Sequence, residues 1–334
     1  MIKAYEIQGV FALENSFNRV GLDHVLLVKI ASTAVISSLF GLSKEQMIDA
    51  LSQAFVDGQS LRTYRHAPNT GPRKSWAAGD ATSRALQLVL LTMRGQIGYP
   101  SAITAPKWGF QDVLFKGKNL SLPQEFGSYV MENILFKISF PAEFHAQTAV
   151  EAAVKLHPEI KDKLEDISKI LITTHESAIR IISKEGQLNN PADRDHCIQY
   201  MTAIGLLKGN LVAEDYEDNV ASDERIDYLR DKMVIEEDRR YTKEYLEADK
   251  RSIANALQIF FKDGSSSEKV EVEYPLGHRR RREEGIPKLI KKFKTNLQTQ
   301  FSESRSNTIL ELCLDEDKLE STSVIDFMEL MTAE

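Results

Sequence analysis

Apolar residues recur at helical spacing over most of the first 95 residues. Residues 2–15 set Ile7, Val10, Phe11 and Leu13 on or near one face, until Asn15 and Ser16 break the pattern. Residues 23–39 are apolar almost all round (Val25, Leu26, Leu27, Ile30, Ala31, Ala34, Val35, Leu39), which predicts a helix buried in the middle of a bundle. Gly41 stops it. Ser43 with Gln46 then forms a capping box ahead of Met47, Leu51, Ala54 and Phe55, and a fourth helix runs over 75–94 to Gly95. Small residues in its first turns (Ala77, Ala78, Gly79, Ala81) allow close approach by a neighbour. Residues 98–110 read as loop, followed by a short helix near 111–116 and more loop to about 128.

The pattern changes after residue 140. A helix over 142–156 carries Ala149, Val150, Ala153, Val154 and Leu156, and KILITT at 169–174 alternates as a β-branched strand. A helix is predicted over 195–208, a strand near 232–237, and a hairpin over 256–275 about the GSSS loop. Helix returns from 286, with Pro287 in its first turn, to the closing STSVIDFMELM. The fold class is therefore mostly α with an α+β insert. Its division is a helical part over 1–138, an α+β lid over 139–279, and a helical return over 280–334.

Between the third and fourth helices lies GQSLRTYRHAPNTGPRKSWAAGD, residues 58–80. Pro68, Asn69, Gly71 and Pro72 give it tight turns. Arg62, Arg65, His66, Arg73 and Lys74 give it a density of fixed cations suited to an anion. Lys74 stands at a helix entry, where unpaired amides also favour negative charge, and Arg73 beside it is expected to lower its pKa. By composition alone, a solvated basic loop reads the same way.

The chain has 334 residues, enough for two domains, and a net charge of −7 that argues against general nucleic-acid binding. Cys197 and Cys313 have no metal-ligand spacing and read as reduced thiols, as in the cytoplasm. No apolar run reaches membrane-spanning length, and the N-terminus lacks the apolar core of a signal peptide.

Four long strings carry a resemblance: NSFNRVGLDHVLLVKIAS at 16–33, RTYRHAPNTGPRKSWAAGDA at 62–81, YVMENILFKISFPAEFHAQTAVEAA at 129–153 and VEVEYPLGHRRRREEG at 270–285. They resemble the 2-methylcitrate dehydratase branch of the MmgE/PrpD family over nearly the whole chain. The resemblance implies a helical domain with a smaller lid and a homodimer. It also implies a small tricarboxylate substrate and the elimination of water from 2-methylcitrate, part of propionate catabolism, without a metal or cofactor. It further implies an additional helical stretch, bearing an Asp/His segment of the site, ahead of residue 1, so the chain is expected to be truncated at its N-terminus.

Such an elimination needs a base, an acid and several cations around three carboxylates. The resemblance places Lys74, His145, His24 and Tyr200 in catalytic roles and Lys137 near substrate, and charge balance against three carboxylates adds Arg62, Arg65, His66 and Arg73 as substrate-binding residues. His145 and Lys137 stand where the chain leaves the helical part, and imidazole titrates in the right range. His24 opens a nearly all-apolar helix and otherwise bonds a local backbone group. Tyr200 is otherwise a core tyrosine, and His196 lies one helical turn before it. The loop 62–74 and the junction 137–145 are expected to meet around the substrate. Arg279–Arg282 is a conspicuous charge run with a structural or a substrate role. Two other readings stay open: the same fold with cis-aconitate decarboxylase or dicarboxylate epimerase chemistry, and an inactive truncated relative.

Overall fold

The computed structural model describes residues 1–66 and 69–332. Pro68, one of the expected turn residues of the basic loop, lies outside the described residues. The chain forms two compact units, one of residues 1–134 and 187–194, the other of residues 135–186 and 195–334.

The first unit is helical. α1 (Ile2–Glu14), α2 (Val25–Leu39), α3 (Lys44–Val56) and α4 (Arg73–Met93) follow the hydrophobic pattern closely. The Ser43–Gln46 capping box is formed in both directions, with bonds of 3.3 and 2.9 Å. Gly95 takes φ +90°, a backbone that only glycine adopts cheaply, and there α4 ends. Phe17, Leu22, Leu26, Leu27, Ile30, Phe55, Phe110 and Phe115 form a core in which Phe55 meets Phe110 edge-on at 5.3 Å.

α2 departs from expectation over its second half. Its first two turns are buried, but Leu39 is 80 % exposed and Val35 is only half-buried, so the helix is not sheathed on all sides. In α1, Val10 is fully buried while Ile7, Phe11 and Leu13 are half-buried.

The second unit is α+β. Its four strands lie in the order β2–β1–β3–β4. β1 (Ile167–Thr174) pairs in parallel with β2 (Met233–Glu237) and antiparallel with β3 (Asn255–Phe261), which turns back into β4 (Val270–Val272). Both expected strands and the hairpin are present. Helix Gln147–Ile160 covers the sheet and packs on helix Ile198–Lys208 through Gly205, where an added Cβ would stand 2.9 Å from that of Ala153.

Several short helices escaped the sequence reading: Tyr129–Asn133, Glu176–Ile182, Glu224–Arg230 and Arg239–Leu246. Half the residues of Arg239–Leu246 are charged, yet Asp238 caps it and it buries Tyr241 and Glu244.

Residues 280–334 pack within the second unit: helix Arg282–Leu297 seats Gly285 against the Leu276 carbonyl and Ile138, where a Cβ would come within 2.7 and 3.0 Å. Residues 187–194 belong to the first unit, tied there by Asn190 Nδ2 donating to the Thr70 carbonyl at 3.1 Å. The four arginines are engaged inside the second unit. Arg279 and Arg280 donate to the Asp249 carbonyl, Arg281 bridges Glu151 and Glu284, and Arg282 lies over the Phe136 ring.

Candidate active site

In the first unit, the basic loop is stitched to the chain entering α2. The amide of Asp23 donates to Ser60 O at 2.9 Å, and that of Arg62 to Gly21 O at 2.9 Å. This brings Arg62–Arg65, one 3₁₀ turn, over Asp23, which is completely buried. Arg65 reaches the Asp23 carboxylate with Nε at 2.5 Å and Nη2 at 3.4 Å, Arg62 Nη1 stands 3.8 Å away, and the Val25 amide donates at 3.1 Å. Burial by itself would raise the Asp23 pKa, but the Arg65 hydrogen bond, His24 and the Val25 amide together hold it below the usual carboxylate value. Asp23 was not anticipated from sequence. One signal could have found it: a lone acid at the start of an apolar helix needs a cation.

His24 sits at the exposed start of α2, its side chain 59 % accessible and Nδ1 3.5 Å from Asp23. His66 is exposed. Arg73 lies over the rings of Trp76 and Tyr64 at 4.3 and 5.6 Å and pairs with Asp80 at 3.3 Å. Lys74, in the first turn of α4, is half-buried and donates from Nζ to the Ala192 carbonyl at 3.4 Å. A cavity of about 530 Å³ opens beside this loop, lined by Lys29, Asp57, Tyr64, Arg73, Asp80 and Arg84 among others. Its charges pair internally, Lys29 and Arg84 on Asp57 and Arg73 on Asp80.

In the second unit, His145 is 9 % exposed and held at both ring nitrogens. Nδ1 lies 2.8 and 2.9 Å from the two oxygens of Glu143, and Nε2 lies 3.2 Å from the Tyr245 hydroxyl. Glu143 also accepts from the His145 amide at 2.7 Å, closing the tight turn ahead of helix Gln147–Ile160. Burial pushes the Glu143 pKa up, but His145, and more weakly His196, bring it below its ordinary value. An ionised carboxylate can only accept, so His145 carries hydrogen on Nδ1, and Nε2 faces the Tyr245 hydroxyl. Asn255 Nδ2 fixes the backbone from the sheet, donating to the His145 carbonyl at 2.8 Å.

Behind this pair lies His175, fully buried at the end of β1, its ring 5.1 Å from that of His145 and stacked on Tyr245 at 4.6 Å and 13°. Burial, with the charge of His145, lowers its pKa to about 3 and keeps it neutral. Glu143 was legible, two positions before His145 in one string. His175 and Tyr245 were not, because the strand end and the helix that carry them meet only in the fold.

Lys137 extends over the Phe144 ring at 5.0 Å. Tyr200 is buried and donates its hydroxyl to the Asp215 carbonyl at 2.6 Å. His196 does not share a helical face with it, because the helix begins at Ile198; its Nδ1 stands 2.8 Å from Asp195. The structure thus groups His24, Arg62, Arg65, His66, Arg73 and Lys74 in the first unit, and Lys137, His145 and Tyr200 in the second. Among the described residues, no group of three or more His, Cys, Asp or Glu side chains could hold a metal ion.

The chain thus joins a helical unit with an arginine-rich loop to an α+β unit with a carboxylate–imidazole–phenol chain, a two-unit protein of helical and α+β parts. The chain matches the MmgE/PrpD N-terminal domain over residues 1–123 and the MmgE/PrpD C-terminal domain over residues 140–316. It is 61 % identical over 333 residues to a 2-methylcitrate dehydratase of Escherichia coli K12, covering 99 % of this chain and 69 % of that one. It is 60 % identical over 333 residues to a 2-methylcitrate dehydratase of Salmonella typhimurium, with the same coverage. A mitochondrial 2-methylcitrate dehydratase of Yarrowia lipolytica is 63 % identical over 314 residues, 93 % of this chain and 60 % of that protein. The chain belongs to the MmgE/PrpD family.

Proposed function

We propose that this protein is a hydro-lyase that dehydrates 2-methylcitrate to 2-methyl-cis-aconitate in propionate catabolism. The observation that carries the reading is the identity of about 60 % to 2-methylcitrate dehydratases over 99 % of the chain. Elimination breaks a C–H bond next to a carboxylate and a C–O bond beyond it, so a base accepts one proton and an acid delivers another to the departing hydroxyl. His145, fixed on Nδ1 by Glu143 and linked at Nε2 to the Tyr245 hydroxyl, suits that traffic. Lys74, Arg62, Arg73, His66 and Lys137 supply cations for the carboxylates. Arg65 holds the loop through Asp23 and acts on Arg62 beside it. His24, exposed at the start of α2, is retained as a second proton carrier, and Tyr200 as an anchor of its helix.

Purified protein given 2-methylcitrate is expected to raise the ultraviolet absorbance of an unsaturated tricarboxylate without releasing CO2. Decarboxylation of cis-aconitate with no turnover of 2-methylcitrate would replace this reading by the decarboxylase one.

The protein is further proposed to act in the cytoplasm as a homodimer. No helix among the described residues is long and apolar enough to cross a membrane. Leu86, Leu90 and Met93, spaced i, i+4 and i+7 on α4, are about two-fifths exposed and offer an apolar stripe to a second copy. Light scattering that gives the 37.8 kDa mass of a single chain at micromolar concentration would refute the dimer.

A further inference from the structure

His145 cannot reach a substrate through an unoccupied nitrogen as the ring stands. Nδ1 is committed to Glu143, and Nε2 faces the Tyr245 hydroxyl at 3.2 Å. A phenol both donates and accepts, so a proton leaving Nε2 can pass into its oxygen while the phenol's own proton leaves. Tyr245 is half-buried and His145 buried, and burial raises the pKa of the phenol, which keeps it protonated.

The position of that phenol is set by His175. The two rings are stacked at 4.6 Å and 13°, and His175 also contacts the His145 ring at 5.1 Å. Neither ring nitrogen of this fully buried histidine has a hydrogen-bond partner, so hydrogen bonding does not explain an imidazole there. Being neutral, it lies against His145 without adding a second positive charge. The helix bearing Tyr245, Arg239–Leu246, is tied to the helix following His175 by the Glu176 amide donating to Thr242 Oγ1 at 2.9 Å.

We infer that Tyr245 is a catalytic residue whose hydroxyl relays the His145 proton to the hydroxyl leaving the substrate, and that His175 is the positioning residue that holds its ring. The inference rests on the dehydratase reading. In the step, the Nε2–H bond of imidazolium His145 breaks and its proton joins the Tyr245 oxygen, while the proton of Tyr245 joins the leaving oxygen. The C–O bond breaks with its electron pair moving to that oxygen, and water departs. The electrons of the broken C–H bond form the double bond, and its proton goes to the base of the site. Imidazole is left neutral and the phenol is unchanged.

Tyr245→Phe keeps the stacked ring and removes the relay. It is expected to lower kcat on the order of 10²-fold with KM within about threefold of the parent. The urea midpoint should be retained, and the ¹⁵N resonance of His145 Nε2 should move towards that of an unbonded imidazole. His175→Ala should lower kcat about tenfold, and His175→Phe, which restores a stacking ring and removes two unbonded buried nitrogens, should recover most of that loss. Retention of more than half of kcat by Tyr245→Phe would overturn the relay. If the parent protein does not dehydrate 2-methylcitrate, the functional reading fails separately and the resonance decides. A shifted Nε2 signal supports the Tyr245–His145 link, and an unchanged one overturns it.

Discussion

His145→Gln is expected to lower kcat on the order of 10²-fold or more, with a much smaller change in KM. Glutamine is the informative replacement. It keeps a side chain of similar reach and a donor for Glu143, so loss of turnover is not confounded by loss of structure. Alanine would leave the Glu143 carboxylate, 16 % exposed and paired with the ring at 2.8 Å, without its main partner, and would open space against His175. A structural histidine would behave in the opposite way, with alanine costing stability and glutamine leaving turnover near the parent value. Steady-state kinetics of the two variants beside their urea midpoints separate these outcomes; a kcat for His145→Gln within about threefold of the parent would remove His145 from the chemistry. Lys74→Ala, measured alongside, is expected to reduce turnover on the same order, because its cation, half-buried in the first turn of α4, is proposed to meet a substrate carboxylate.

The largest expected effect on folding comes from Asp23. Asp23→Ala removes a fully buried carboxylate that carries Arg65, neighbours Arg62 and accepts from the Val25 amide at the start of α2. Breaking such a pair strands the remaining charge, and the loss should be about 3–5 kcal/mol. The urea midpoint should fall with little change in slope. Unchanged stability would mean that Arg65 finds water or another anion at no cost.

The pH dependence has a definite sign. Burial opposes ionisation of Asp23, but Arg65, His24 and the Val25 amide outweigh it, so the folded pKa lies below the unfolded one. The stabilisation is therefore fully present above the unfolded value, near 4, and is lost as pH falls through the folded pKa. Between pH 5 and acid unfolding, at about pH 2–4, the parent should lose stability faster than Asp23→Asn, which has no such proton to take up.

Much of the architecture follows from local sequence. The 3.6-residue pattern of α1–α4, the Ser43–Gln46 box, the Gly95 stop, the alternation of KILITT and the glycine–serine turn between β3 and β4 all act over neighbouring residues, and each element forms where its pattern stands. His145 and its partner Glu143 are also local, two residues apart in one turn. Recognition of the cationic loop likewise needed only its composition.

Other features depend on segments far apart in the chain. Asp23 and Arg65 are 42 residues apart, so the loop arginine that looked ready for a substrate is neutralised from inside its own unit. His145 and Tyr245 are 100 residues apart. Half the residues of the helix that presents Tyr245 are charged, and its apolar face, Tyr241 and Tyr245, finds its partners only in the fold. Likewise the run Arg279–Arg282 has the composition of a solvated patch, but Glu151, the Asp249 carbonyl and the Phe136 ring turn it into internal ties. The sequence by itself determined the longer helices, the strands and the residues capable of acid–base chemistry, because periodicity and composition are local, and four long strings carried the resemblance to the family. Only the tertiary structure decided which charges are neutralised and which proton carriers are linked, because Coulombic and hydrogen-bond energies depend on separations in space that chain distance does not predict.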